Sequence, residues 1–383
     1  MKLAIKTTAL GNVVELIMGQ APSSKDCNFD GRGTPFVKVG EFRETRPEIR
    51  EWTTNPLRMA RLTDVLLCVV GATCGKINLG EECAIGRSVA AIRPRVEKLD
   101  QLYLYYFMMT LVESLRSGSV GAAQTVISKD MIETVQIPNV PLPEQQRIVA
   151  ILDAAFDGIA TAKATAEQNL QNARALFESQ LQSVFTLHGE GWVEKKLSDV
   201  CAITSTLVDP RKEEFLDLTH VGAGNIESQT GVFVELKTAR EEGLISGKFL
   251  FDESMVLYSK IRPYLMKVAR PHFNGLCSAD MYPLAPLPNA ITRDYLFYLL
   301  LSKSFTDYAI QGSARAGMPK VNREHLFEFR VWLPDVKKQA VLAAKLDALH
   351  EETQRLESLY QRKLAALDEM KKSLLHQAFS GAL

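Results

Sequence analysis

Apolar and small residues recur in steps of three and four through residues 143–185, at Ile148, Leu152, Ala155, Ile159, Ala162, Ala166, Leu170, Ala173, Phe177, Leu181 and Val184. That spacing keeps one seam on one face of a helix. After Pro143 more than forty residues pass without another proline, and only Gly158 interrupts, so the run predicts a single long helix. A second run, 334–379, carries the same seam 194 residues on, at Leu342, Leu346, Leu349, Thr353, Leu356, Tyr360, Leu364, Leu367, Lys371, Leu375 and Ala378, nine of the eleven apolar. Two long helices with one seam at a constant offset mean an internal repeat.

Connectivity then predicts the topology. A compact block of 145 residues between the helices returns the chain to where it left, so the helices run antiparallel. Each spans roughly 65 Å at about 1.5 Å per residue. A symmetric overlap pairs Ala162 with Leu364, Ala166 with Tyr360, Ile159 with Leu367 and Phe177 with Leu349, small against large in the first two.

Outside the helices the pattern changes to short apolar runs broken by turn residues. The segments 34–40 and 64–70 read as strands, Leu102-Tyr103-Leu104-Tyr105-Tyr106-Phe107-Met108-Met109 as a buried helix, and 117–124 as a glycine-containing loop. The same order returns later. Leu218-Thr219-His220-Val221-Gly222 stands where Val37-Lys38-Val39-Gly40 stood, 254–258 matches the strand at 64, and Tyr295-Leu296-Phe297-Tyr298-Leu299-Leu300 matches the aromatic helix. The fold class is α/β in the mixed, α+β sense: two globular domains, 1–141 and 188–333, separated by an antiparallel coiled coil of spacer helices at 142–187 and 334–383, with a pseudo-twofold repeat.

Composition narrows the partners. Formal net charge is zero over 383 residues, with 17 Lys+Arg against 15 acids in residues 1–140 and 17 against 18 in 188–332. Nucleic acid binding therefore requires basic residues gathered locally on one face. The six cysteines, Cys27, Cys68, Cys74, Cys83, Cys201 and Cys277, form no CxxC and no zinc-ligand spacing with histidine, so they read as reduced thiols. No signal pattern opens the chain and no apolar run reaches 18 residues, which predicts a cytoplasmic protein without membrane contact.

With its globular, helix, globular, helix order, its Pro138-Asn139-Val140-Pro141-Leu142-Pro143-Glu144-Gln145-Gln146-Arg147-Ile148-Val149 approach to a long helix, and Trp192 before Lys196-Leu197-Ser198-Asp199-Val200, the chain resembles the specificity subunits of type I restriction-modification systems. The resemblance covers nearly the whole chain. It implies a subunit with no chemistry and no cofactor of its own, whose two target-recognition domains each read half of a split, asymmetric site on double-stranded DNA. It further implies that the helices set the spacing and dock two modification subunits carrying S-adenosylmethionine. Restriction and translocase subunits using ATP and Mg would join the larger assembly. Helix faces outside the seam, including Arg147, Gln168, Gln171, Arg174, Arg355, Arg362 and Lys363, are the expected docking surface. An antiparallel helix pair independently predicts two readers related by a twofold axis, as a duplex accommodates.

Motifs that carry other chemistry are weak. Gly71-Ala72-Thr73-Cys74-Gly75-Lys76-Ile77 has three residues between its glycines, not the four of a phosphate loop, and Ile77 replaces the hydroxyl that binds Mg. It predicts a tight turn that brings Lys76 near a phosphate. Asp217, Glu235 and Lys237 imitate a nuclease carboxylate cluster and support an alternative, a free-standing Mg-dependent nuclease. A third reading is a protein-binding coiled-coil adaptor without DNA contact. The candidate DNA contacts are Lys38, Arg43, Lys76 and Arg87 in the first domain. Those in the second are His220, Asn225, Lys260, Arg262, Lys267, Arg315, Lys320 and Arg323, led by Ser259-Lys260-Ile261-Arg262-Pro263-Tyr264, where two cations on one strand face point together. No residue is assigned as catalytic or metal-binding.

Overall fold

The computed structural model describes residues 6–117, 126–187, 189–313 and 319–383. It divides into two compact units, Met1–Glu167 with Arg362–Leu383, and Gln168–Gln361. Of the glycine-containing loop expected at 117–124, Ser117 instead ends the helix Val112–Ser117, and the rest, with Arg315, lies outside the described residues.

In the first unit an antiparallel sheet runs in the order Val14–Met18, Val89–Pro94, Val65–Cys68, Ile77–Leu79. The apolar run at 65–68 is buried on both faces because alternate side chains enter different cores. Val65 and Leu67 pack with Tyr103, Leu104, Ile148 and Leu152, whereas Leu66 and Cys68 pack with Val37, Phe42 and Ile85. Those last residues belong to a second sheet, ordered Cys27–Asn28, Trp52–Thr53, Thr34–Val37, Cys83–Ile85, Met59–Ala60, with one parallel pair between 34–37 and 83–85. The aromatic run forms the helix Gln101–Thr110, capped by Asp100, whose carboxylate accepts from the N–H groups of Leu102 and Tyr103. Tyr103 and Phe107 both meet Phe379 edge to face, so these aromatics are core.

The second unit repeats this construction. Its four-stranded sheet is Cys201–Ala202, Met281–Pro286, Val256–Ser259, Val268–Ala269, and its five-stranded sheet is Leu207–Val208, Lys248–Phe251, Gly275–Cys277, Thr219–Val221, Lys237–Thr238. Again one parallel pair lies at the centre, 219–221 with 275–277. Four strands of the five correspond. The fifth is added at opposite edges, by 27–28 in one unit and 207–208 in the other. Helix Arg293–Leu301, capped by Thr292, fills the place of the first aromatic helix.

Two 45-residue helices, Leu142–Thr186 and Val336–Ser380, each contribute a stretch to both units. Within the first unit Lys371 stands over the Phe156 ring at 4.9 Å, Lys163 pairs with Asp368, and Arg147 donates to the Leu383 carbonyl at 3.3 Å. Partner numbers fall as helix numbers rise, so the stretches are antiparallel. In the second unit Arg174 Nε meets Glu357 at 2.7 Å and the Phe177 ring lies 4.9 Å from His350. Phe177 was expected against Leu349; it turns instead toward His350 and Tyr298, because the aromatic helix supplies an edge-to-face partner there. Of the seam, Ile148, Leu152, Ile159, Ala166 and Leu346 are buried, and Leu170, Phe177, Leu342, Leu349, Leu356, Tyr360, Leu364 and Leu367 are half-buried. No helix among the described residues is long and apolar enough to cross a membrane.

Candidate nucleic-acid interface

At one end of each unit three turns converge. In the first, turn 69–76 joins two strands of the four-stranded sheet, turn 86–88 crosses between the sheets, and loop 38–43 follows the strand Thr34–Val37. Backbone bonds lock them: the N–H of Val69 donates to the Ser88 carbonyl at 2.9 Å, and that of Gly86 to the Val37 carbonyl at 2.9 Å. The Lys76 ammonium donates to the Phe42 carbonyl at 2.9 Å. The second unit has the same bonds, from the N–H of Lys260 to the Asp280 carbonyl at 3.0 Å and of Ser278 to the Val221 carbonyl at 2.9 Å. There Lys267 repeats the role of Lys76, donating to the Ala223 carbonyl at 2.6 Å. Equivalent loops begin at Lys38 and Gly222, whose N–H groups donate to Glu41 and Asn225. The expected match of Gly222 with Gly40 is therefore two residues out of step, because a shared glycine stood in for a shared backbone role.

This geometry sorts the candidate residues into scaffold and surface. Lys38 pairs with Glu51 and lies 5.5 Å from the Phe36 ring centroid; Arg43 is held by Glu48 at 2.7 Å and by the Gly40 and Phe42 carbonyls. With Lys76 they brace the loops. Arg87 is exposed on the middle turn and makes no hydrogen bond or ion pair with the described residues. At its neighbour Gly86 a Cβ would touch the Lys38 stem at 3.1 Å, so the loop that starts at Lys38 packs against the middle turn.

In the second unit His220 is buried, its Nδ1 2.9 Å from Glu242; burial outweighs that carboxylate and pulls the imidazole below its ordinary pKa. Asn225 spends its side chain on Gly222, Val234 and Glu235. Asn225 thus holds the loop that follows the strand, and His220 ties that strand to the helix Ala239–Glu242, so both side chains serve the frame. The pair Lys260 and Arg262 departs from expectation. The strand ends at Ser259, so Lys260 turns inward to the Ala279 carbonyl and the Tyr282 ring, while Arg262 enters a turn with φ 50°. Burial first, then the charge of Lys320, lowers the Lys260 ammonium. Lys260 and Lys320 flank Asp280 at 3.8 and 3.6 Å, and Arg323 completes the group. Arg262 and Arg323 are exposed and make no side-chain hydrogen bond or ion pair among the described residues.

The carboxylate cluster does not assemble. Asp217 is taken by Arg240 at 2.9 Å, whose hydrogen bond lowers its pKa, and Lys237 pairs in a strand opposite His220. No group of three metal-ligating side chains occurs among the described residues. Charge-based reading missed the polar members of the middle turn, Ser88, Ser278 and Asp280. The signal lay in matching the two hairpins, whose strands pair in the same register (Leu67 with Ile77, Tyr258 with Val268).

Of the expected docking residues, Arg147, Gln168, Gln171, Arg174, Arg355, Arg362 and Lys363 are all exposed. Arg174, however, bridges to the other helix through Glu357, so it serves the pairing as well.

The family model for the type I restriction modification DNA specificity domain matches residues 4–172 and 189–363. The type I restriction enzyme EcoDI specificity subunit of Escherichia coli is 27% identical, across 99% of this chain and 88% of that protein. The MjaVIII specificity subunit of Methanocaldococcus jannaschii is 20% identical, across 98% and 92%. In fold, the chain matches a subunit from a structural study of assembly and conformational transition in a type I R-M system, with TM-score 0.80 at 16% identity over 99% of this chain and 98% of that one. It also matches the HsdS subunit from Thermoanaerobacter tengcongensis, with TM-score 0.66 at 17% identity over 100% and 98%. Both globular halves and most of the long helices fall within the match, and the chain belongs to the type I restriction modification DNA specificity family, as a specificity subunit of a type I restriction-modification system.

Proposed function

We propose that each three-turn edge reads one half of a split site on double-stranded DNA, and that the long helices fix the gap between the halves. The observation that carries this reading is the repetition of one braced frame with different unpaired cations upon it: Arg87 on the first edge, Arg262 and Arg323 on the second. A frame held by backbone bonds gives rigid placement, and changing only the exposed side chains changes what is read. Two modification subunits dock on exposed helix faces around Gln168, Gln171, Arg355 and Lys363. The chemistry belongs to those partners, which hold S-adenosylmethionine, and to restriction and translocase subunits, which use ATP and Mg. This chain is non-catalytic and acts in the cytoplasm. Mapping the bases methylated by the assembled complex tests the reading: two short specific blocks with a constant gap support it, and modification without sequence preference contradicts it.

A further inference from the structure

The hairpin turn of the four-stranded sheet is left-handed at two places in each unit: Gly71 (φ 95°) and Gly75 (φ 87°) in the first, Arg262 (φ 50°) and Met266 (φ 49°) in the second. Its internal bond is the same, from the Cys74 N–H to the Gly71 carbonyl at 3.0 Å and from the Leu265 N–H to the Arg262 carbonyl at 2.9 Å. One turn has been built twice, and glycine is what its backbone favours, because a Cβ in the left-handed region crowds the following carbonyl. The second unit nevertheless places an arginine there. Backbone bonding does not call for the side chain, since the Arg262 N–H donates to the Pro319 carbonyl at 2.9 Å whatever residue carries it. Nor do the described residues use it, for the guanidinium is exposed and without a partner among them.

We propose that Arg262 is a specificity-determining residue of the second recognition domain, positioned to read a guanine by paired hydrogen bonds to its O6 and N7 in the major groove. The inference rests on the DNA-reading role proposed above. A phosphate contact asks only for local positive charge, which Lys320 and Arg323 already bring around Asp280. A strained turn instead fixes the root and direction of a side chain, and a planar fork of donors gains most from fixed direction. Tyr264, half exposed two residues on, lies on the same turn and is available to cover the adjacent apolar surface of a base.

The test uses the full chain assembled with its modification subunits and a randomised duplex library, with recovered sequences compared between wild type, Arg262→Lys and Arg262→Gly. Lysine keeps the charge and the strained backbone but lacks the fork; glycine relieves the backbone and removes the charge. Both variants lose preference for one guanine position in one block, by roughly 5- to 100-fold, while the other block keeps its sequence. Arg262→Gly also raises the melting midpoint of the purified chain by about 2–4 °C, which shows that the loss is not unfolding. Retention of the wild-type motif by Arg262→Lys overturns the inference and leaves the proposed function standing. A wild-type complex that enriches no sequence overturns both.

Discussion

Gln145 accepts a hydrogen bond from the backbone N–H of Asp100 at 2.8 Å, tying the start of the first long helix to the cap of the buried aromatic helix. The same side chain donates to the carbonyls of Lys98 and Val140. Gln339 does likewise in its own unit, accepting from Thr292 at 2.9 Å and donating to Ala290 and Pro334. Both glutamines are buried, at 2% and 0% exposure, so no water substitutes for these bonds. The junction between recognition domain and helix is thus built from one side chain, used twice.

Gln339→Leu leaves a buried N–H and two carbonyls without partners and should cost about 1–3 kcal/mol, read as a lower urea midpoint. Gln171→Leu, on an exposed helix face, should stay within about 0.5 kcal/mol. Equal effects of the two would remove the clamp from the account.

Asp347 supplies a pH dependence. Burial pushes its carboxyl up, but hydrogen bonds from Arg270 and Tyr298, each 2.7 Å away, outweigh burial and hold the pKa below the ordinary value. A carboxyl lowered by folding adds stability that is complete above its unfolded pKa, near about 4, and disappears as pH falls through the folded value. The stability gap between wild type and Asp347→Asn should therefore be widest at neutral pH and shrink below about pH 4; a gap constant from pH 7 to pH 3 would contradict this.

The salt dependence of DNA binding separates surface cations from braces. Arg323→Ala removes an exposed charge that makes no ion pair among the described residues, and should weaken binding and reduce the slope of log K against log salt by about 0.9. Lys267→Ala removes a brace to the Ala223 carbonyl, and should lower stability by about 1 kcal/mol with a smaller change in slope. The reverse pattern would move Lys267 onto the contact surface.

Glu235 sits at φ 50°, a strained conformation for glutamate. Glu235→Gly should raise stability by up to about 1 kcal/mol, and purified chain of either form should leave DNA uncut in Mg. Mg-dependent cutting abolished by the substitution would restore the nuclease reading.

Much of this architecture is legible along the chain, because a seam such as Ile148, Leu152, Ile159 or Leu342, Leu346, Leu349 is a local signal repeated over many turns. Buried strands are legible for a similar reason, as with Val65 to Cys68. The contact surface is less so. Charge marks Lys38, Arg43 and Lys76 as strongly as Arg87, yet the first three brace carbonyls and carboxylates while only Arg87 is unpartnered. Which lysine turns inward depends on where a strand ends, and Lys260 lies one residue past Ser259. Alternation along a strand cannot be carried across that boundary. The strained backbone of Arg262 likewise has no sequence mark until its hairpin is set beside the one that carries Gly71.

The most direct measurement concerns the gap. Inserting seven residues, two near-complete helical turns that preserve the seam, at matched midpoints of both long helices adds about 10 Å. Methylation by the complex should then map to the same two blocks separated by about 3 more base pairs. Unchanged spacing, or a change in the blocks themselves, would contradict the account.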